Sequence, residues 1–236
     1  MTSDRGGSWA LAGSTFRLDP ARTALVIVDM QKGMAIEGHG IVAGAERAAP
    51  GSGAYYFDRV RTVVIPTLQR LLTFFRERRS RVVHVNYASL EPDGSDLLPI
   101  IRERNARRLA TVGALSVYPL GHPEAEVVPE LAPAPGERLL IKTTASAFTS
   151  TNLDQLLRAW GIEGVIVGGI LTSGCVDITA RDASDRAYRT VIVEDGVATW
   201  RERSQLATLE VFGSMFGRVA GSDELIAELS GRETAR

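Results

Sequence analysis

Only one cysteine, Cys175, occurs in the 236 residues, so no intrachain disulfide can form and the chain suits a reducing compartment. Long apolar runs are missing too. None approaches the roughly 18 residues needed to cross a bilayer, and residues 1–20 lack the unbroken apolar core of a signal peptide. Histidine is scarce, with His39, His84 and His122 scattered rather than clustered, and no catalytic metal or other cofactor is expected. An excess of either charge is also absent. Lysine and arginine number 27 against 28 acids, a formal net charge of -1, so no global field draws nucleic acid or an anionic membrane surface. Basic residues gather only at Arg76, Arg78 and Arg79 and again at Arg102, Arg104, Arg107 and Arg108. Acids are interleaved and aromatics do not accompany them, which is the pattern of solvated helix ends. These absences leave a cytoplasmic enzyme or binding protein that acts on a small molecule.

What is present is ordinary in bulk, 44% apolar and 23% charged residues, and long enough for one large buried core. The reading is a single domain over residues 21–236, preceded by an extension over residues 1–20. Residues 23–29 form a short, β-branched apolar run ending in an acid, as expected of a strand buried on both faces of a parallel sheet. Residues 81–86, 138–142, 164–169 and 190–194 read alike, and 217–220 is a weaker sixth candidate. Helical spacing fills the gaps. It covers residues 60–75, with Pro66 as an internal kink, and 152–160, capped by Thr151 or Asn152 and ended by Gly161. Further helices are expected from Cys175 to Tyr188, over 202–216 and over 223–229. Strands alternating with helices predict an α/β fold, a doubly wound three-layer αβα domain around a mostly parallel sheet of about six strands. Two stretches, 31–56 and 87–135, show little period beyond one helix near 96–110. Excursions of that length are usually lids or binding loops, and substrate selection is expected there.

In an open parallel sheet, ligands bind beyond the carboxyl ends of the strands. Asp29, Lys142 and the loop from Gly168 to Cys175 all follow strand ends. An acid, a base and a thiol from distant parts of the chain therefore converge on one edge. Singly, each has a plainer explanation: an Asp as turn former, a Lys where a strand meets water, a Cys as a small buried apolar residue. Their joint placement favours chemistry. Cys175 follows a glycine-containing loop and should stand at a helix N-terminus, where unpaired N–H groups and the helix dipole stabilise a thiolate. The same N–H groups can hold the oxyanion formed when a thiolate attacks a carbonyl. Such a loop also suits phosphate, although no Walker-type or G-x-G-x-x-G pattern accompanies it.

Three blocks carry a wider likeness. They are residues 23–31, ending in Asp29, Met30 and Gln31; Lys142 with Ser146, Ala147, Phe148, Thr151 and Leu153; and residues 161–176, ending in Gly174, Cys175 and Val176, followed by Thr179, Asp182 and Ala183. In content and order they resemble the isochorismatase-like superfamily of cysteine hydrolases, in the amidohydrolase branch related to N-carbamoylsarcosine amidohydrolase and nicotinamidase. The resemblance implies that Asp29 takes the thiol proton, Cys175 attacks a carbonyl carbon, and Lys142 favours thiolate and carboxylate by its charge. It implies an oxyanion hole from the backbone N–H groups of Leu171 and Cys175, a cis peptide between Ile170 and Leu171, and a thioester hydrolysed by water. Gln31, Tyr87, Phe148, Ile170 and Thr172 are the expected substrate contacts, and Tyr55, Tyr56 and Phe57 are further candidates for the pocket wall. A homo-oligomer, dimer or tetramer, is implied as well, with exposed apolar positions of the final helices as an interface.

One departure bears on the substrate. The nicotinamidase branch carries an Asp-x-His metal motif soon after the second strand, and the corresponding residues, from His84 to Asp93, lack it. His84 is expected in the core or behind the site. The reading is a hydrolase cleaving a C–N bond of a small amide, ureide or carbamoyl compound. Vinyl-ether hydrolysis of the isochorismatase type is the alternative, and a catalytically idle binding module of the same fold is the third.

Overall fold

A computed structural model describes residues 13–231; most of the expected N-terminal extension, residues 1–12, lies outside them. Seven strands form one sheet: β1 (Thr23–Val28), β2 (Arg81–Ser89), β3 (Tyr118–Pro119), β4 (Arg138–Lys142), β5 (Gly164–Ile170), β6 (Arg189–Ala198) and β7 (Arg218–Ala220). The order is β3-β2-β1-β5-β6-β7, with β4 also paired to β2, and every pairing is parallel. The five stronger strands expected from the sequence are present, three of them longer than expected, and the weaker sixth is β7. The additional strand, β3, has two residues, too short to show a period, and its Pro119 suits an edge.

The alternation of side chains along a strand builds two cores. Leu25 and Ile27 of β1 face one layer with Ile166 and Val191, covered by α4 (Ile65–Glu77) through Leu68, Leu71 and Phe75 and by α10 (Ser222–Leu229) through Leu225. Ala24, Val26 and Val28 face the other with Val165 and Val167, covered by α7 (Leu153–Ala159), α8 (Asp177–Asp185) and α9 (Glu202–Met215). All six residues of β1 are buried, so each large apolar side chain there contributes roughly 1.5–3 kcal/mol by burial. This is the expected three-layer arrangement.

Local departures have local causes. Pro66 does not kink a helix interior; it occupies the first turn of α4, after a π-helical segment, Val60–Val64, that continues α3 (Ala54–Arg59). The excursion over 31–56 is less irregular than its composition suggests and holds α1 (Lys32–Ala35), α2 (Gly40–Ala48) and the start of α3. In the second excursion, α5 spans Pro99–Val112. The short α6 (Ala147–Ser150) precedes α7. Gly169 permits the closest approach in the sheet: it has φ +115, and a Cβ there would stand 2.0 Å from the Val28 carbonyl oxygen. No helix among the described residues is long and apolar enough to cross a membrane.

Candidate active site

The sheet order reverses at the β1/β5 pair: the chain moves outward from β1 to β2 and β4, then returns to β5 and proceeds the other way. A ligand crevice opens beyond the carboxyl ends of such a pair. Asp29 follows β1 directly with φ 54, a left-handed conformation that Asp tolerates better than most residues. Its amide donates to the Val85 carbonyl at 2.8 Å, and its own carbonyl accepts from Gln31 N at 2.7 Å. Lys142 is the last residue of β4, paired with Tyr87 of β2. The peptide Ile170–Leu171 is cis, and Cys175 lies in the turn that follows, Thr172–Val176. Non-helical dihedrals at Ser173 and Gly174 delay the helix expected at Cys175, so α8 begins at Asp177.

These three side chains meet. Lys142 Nζ is 2.9 Å from Asp29 Oδ2, with the two side chains 0% and 6% exposed. The same ammonium donates to the Thr144 carbonyl at 3.2 Å and lies 3.8 Å from the centre of the Tyr87 ring, a cation–π contact that partly replaces lost water. Asp29 Oδ1 is buried and has no hydrogen-bond partner among the described residues. Burial pushes the Asp29 carboxyl up, while the charge of Lys142 and the neighbouring Cys175 thiol act in the opposite direction. Burial, and then the Asp29 carboxylate, push the Cys175 thiol up, outweighing Lys142. Burial and the Asp29 carboxylate thus act against the thiolate that a helix end and Lys142 favour. A carboxylate in this position can instead receive the thiol proton at the moment of attack.

Cys175 and Asp29 open on a cavity of about 180 Å³, whose wall also includes Gln31, Tyr87, Leu171 and Gly174. Both excursions contribute to it: Met34 and Ile41 from the first, and Ile101, Arg104, Arg108, Ser116 and Val117 from the second. Among the described residues no three His, Cys, Asp or Glu side chains gather as a metal site requires. His84 is buried and bonded to Glu137 at 3.1 Å, away from this wall.

Of the expected substrate contacts, Gln31 and Tyr87 line the cavity. The Gln31 amide is committed to the backbone: it donates to the Tyr87 and Ala125 carbonyls at 3.1 and 3.0 Å and accepts from Tyr87 N at 2.8 Å. It clamps the ends of β1 and β2 together. Phe148, Ile170 and Thr172 are not in the wall. Phe148 packs in the core against Tyr188, Ile170 is fully buried, and Thr172 Oγ1 donates to Gln205 at 2.6 Å. Tyr56 and Phe57 act from behind Trp200, which does line the cavity; Tyr56 stacks on it at 4.6 Å and Phe57 meets it edge-on at 6.0 Å. Trp200 escaped the sequence reading, although it follows β6 at the same sheet edge.

The second omission is larger. Residues 102–108 read as a solvated helix end, which holds for the exposed Arg102 and Arg107 and fails for Arg104 and Arg108. The signal was available: Ile101, Arg104, Asn105 and Arg108 stand at i, i+3, i+4 and i+7, one helix face. Asn105 is buried there and pins the following loop, donating to the Val117 carbonyl at 2.8 Å and accepting from Ser116 N at 2.9 Å.

The remaining motif residues join the block that carries Lys142 to the one that carries Cys175. Ser146 Oγ donates to the Asp182 carboxylate on α8, Ala147 N donates to Thr179 Oγ1 at 3.1 Å, and Thr151 Oγ1 donates back to the Ala147 carbonyl at 2.7 Å. Fixing β4 against α8 in this way holds the ammonium and the thiol in register across the crevice.

Comparison with known proteins agrees with this construction. The isochorismatase domain family matches residues 23–224, and the chain belongs to that family. It is 30% identical over 225 residues to ureidoacrylate amidohydrolase of Rhizobium rhizogenes, covering 90% of this chain and 85% of the relative. It is 28% identical over 213 residues to maleamate amidohydrolase of Pseudomonas putida, with coverages of 88% and 87%. Among solved structures, N-carbamoylsarcosine amidase of Thermoplasma acidophilum superposes with a TM-score of 0.64 at 30% identity, over 86% of this chain and 97% of that one.

Proposed function

We propose that this protein is a cysteine-dependent amidohydrolase that cleaves a C–N bond of a small amide, ureide or carbamoyl compound. The observation that carries the reading is the cluster of buried Asp29 and Lys142 with half-buried Cys175 at the rim of the cavity, in a chain similar to amidohydrolases of maleamate and ureidoacrylate. A substrate carbonyl enters beside Cys175. Asp29 accepts the thiol proton as the sulfur attacks, and the backbone N–H groups of Leu171 and Cys175 receive the oxyanion. Collapse of the tetrahedral species breaks the C–N bond, and Asp29 returns the proton to the leaving amine. A water, deprotonated by the same carboxylate, then hydrolyses the thioester and restores the thiol. Lys142 keeps Asp29 anionic between these transfers.

The chemistry follows from a nucleophile beside a base, which ether hydrolysis does not use. The test is ammonia release from a panel of small amides, ureides and carbamoyl amino acids, with the wild type beside Cys175→Ala. Release that disappears in the variant is expected. Equal release by both proteins overturns the covalent reading, and vinyl-ether cleavage without amide turnover moves the assignment to the alternative.

A further inference from the structure

Main-chain pairing between β5 and β6 ends at Ile170 and Ala198. The backbone N–H groups of Leu171 and Cys175, which the proposed mechanism gives to the oxyanion, therefore lie beyond the sheet ladder. Nor do they belong to a regular helix: Ser173 and Gly174 have non-helical dihedrals, and α8 starts only at Asp177. The turn is closed on itself by the Leu171 carbonyl, which accepts from Gly174 N at 3.0 Å and Val176 N at 3.2 Å. Those bonds fix its shape. They do not fix its direction against the rest of the site.

A buried side-chain tether does so. Thr172 Oγ1 donates to Gln205 Oε1 at 2.6 Å, and Gln205 Nε2 donates to the Val197 carbonyl at 3.2 Å. Thr172 is 0% exposed and Gln205 2%, so water does not compete for either bond. A carboxamide has one acceptor end and one donor end. With the donor end committed to β6, the acceptor end is turned towards Thr172. Gln205 stands in the first turn of α9, its backbone N–H donating to the Arg201 carbonyl at 3.0 Å. A second tie joins the same two segments, with the Ser173 and Thr199 hydroxyls 2.8 Å apart. Trp200 of the cavity wall belongs to the segment anchored in this way.

We infer that Gln205 is a positioning residue for the hydrolysis: by holding the Thr172 hydroxyl, it sets the direction of the Leu171 and Cys175 N–H groups. It is absent from the cavity wall itself. The inference rests on the amidohydrolase reading for the reaction, and on the tether for the rest. Donors aimed at a developing oxyanion act only at the right distance and direction. A small displacement therefore costs rate in the transition state and leaves ground-state binding largely as it was.

The experiment measures kcat and KM for a hydrolysed amide, urea midpoints, and hydrogen exchange over residues 171–176. The proteins are wild type, Thr172→Val, Thr172→Ser, Gln205→Leu and the double variant Thr172→Val/Gln205→Leu. Thr172→Val and Gln205→Leu are each expected to lower kcat on the order of tenfold to hundredfold, with KM little changed. Thr172→Ser, which keeps the hydroxyl, should recover most of that loss. The double variant removes the hydroxyl that Gln205→Leu strands, so its urea midpoint should rise above that of Gln205→Leu. Its kcat should nevertheless stay as low, because the two losses belong to one tether and do not add. A kcat that recovers with the midpoint, a loss confined to KM, or single variants at the wild-type rate overturns the positioning role. If the wild type hydrolyses no amide, the amidohydrolase reading fails on its own, and the tether is decided by hydrogen exchange. Faster exchange over residues 171–176 in Thr172→Val and Gln205→Leu, reversed in Thr172→Ser, supports it. Unchanged exchange overturns it.

Discussion

Lys142 Nζ lies 2.9 Å from Asp29 Oδ2 where neither side chain meets bulk water. Each charge makes the burial of the other tolerable, and the remaining valences are filled unequally. The ammonium finds the Thr144 carbonyl and the Tyr87 ring, while Asp29 Oδ1 is buried without a hydrogen-bond partner among the described residues. The asymmetry leaves the carboxylate as the group with capacity to accept a proton.

Removing the cation should therefore destabilise the fold as well as the chemistry. In Lys142→Met the Asp29 carboxylate is left buried and uncompensated, and a loss of about 3–5 kcal/mol is expected at neutral pH. Its carboxyl, already pushed up by burial, moves higher still. An acid whose folded value is raised loses stability as pH rises from its unfolded value, about 3.9, through the folded one. Urea midpoints of the variant should therefore approach wild type near pH 4 and fall below it as the pH increases. A deficit independent of pH would show that the lysine acts by packing alone.

Burial first, and then the Asp29 carboxylate, push the Cys175 thiol up. In Asp29→Asn that negative charge is gone, so the pH midpoint for alkylation of Cys175 by iodoacetamide should fall by about one pH unit or more, while amide turnover is lost with the base. Slow alkylation of the wild type at neutral pH is thus a property of the resting site and no sign of an idle protein. A midpoint that rises in the variant, or a variant that retains turnover, contradicts the proton transfer assigned to Asp29.

Away from the site, Glu137 joins β4 to α4 and β2: it accepts from Arg76 at 2.7 and 2.9 Å and is bonded to His84 Nε2 at 3.1 Å. Burial raises its carboxyl, but Arg76, the Ala134 amide and His84 together hold it down at about 2. Such a depressed acid contributes stability above its ordinary value of 4.5 that is lost as pH falls towards 2. His84, pushed down by burial, adds loss in the same direction below about 6.5, its unfolded value. Wild-type urea midpoints should drop steeply between pH 6 and 3. Those of Glu137→Gln should start lower and fall less, and parallel curves would exclude this network as the cause.

Much of the fold was legible because a parallel strand buried on both faces must be apolar throughout. Residues 23–28 and 164–170 announce themselves in that way, and Gly161, at φ +66, follows α7 where the helix reading placed it. The convergence of Asp29, Lys142 and Cys175 followed from where strands end. What did not show was any feature that depends on which face of an irregular segment turns inward. Phe148 looked like a pocket residue and is core, Trp200 was passed over and lines the cavity, and Arg104 and Arg108 looked solvated and face the site.

The sequence by itself determined the alternating layers, the sheet edge at which an acid, a base and a thiol collect, and the family. Each of these rests on local spacing or on short blocks of chain. The tertiary structure alone decided that burial and the Asp29 carboxylate both act against ionisation of the thiol, and that two arginines of α5 line the cavity. A proton's affinity depends on the burial and charges that distant segments bring within a few ångströms, and no spacing along one segment records those distances.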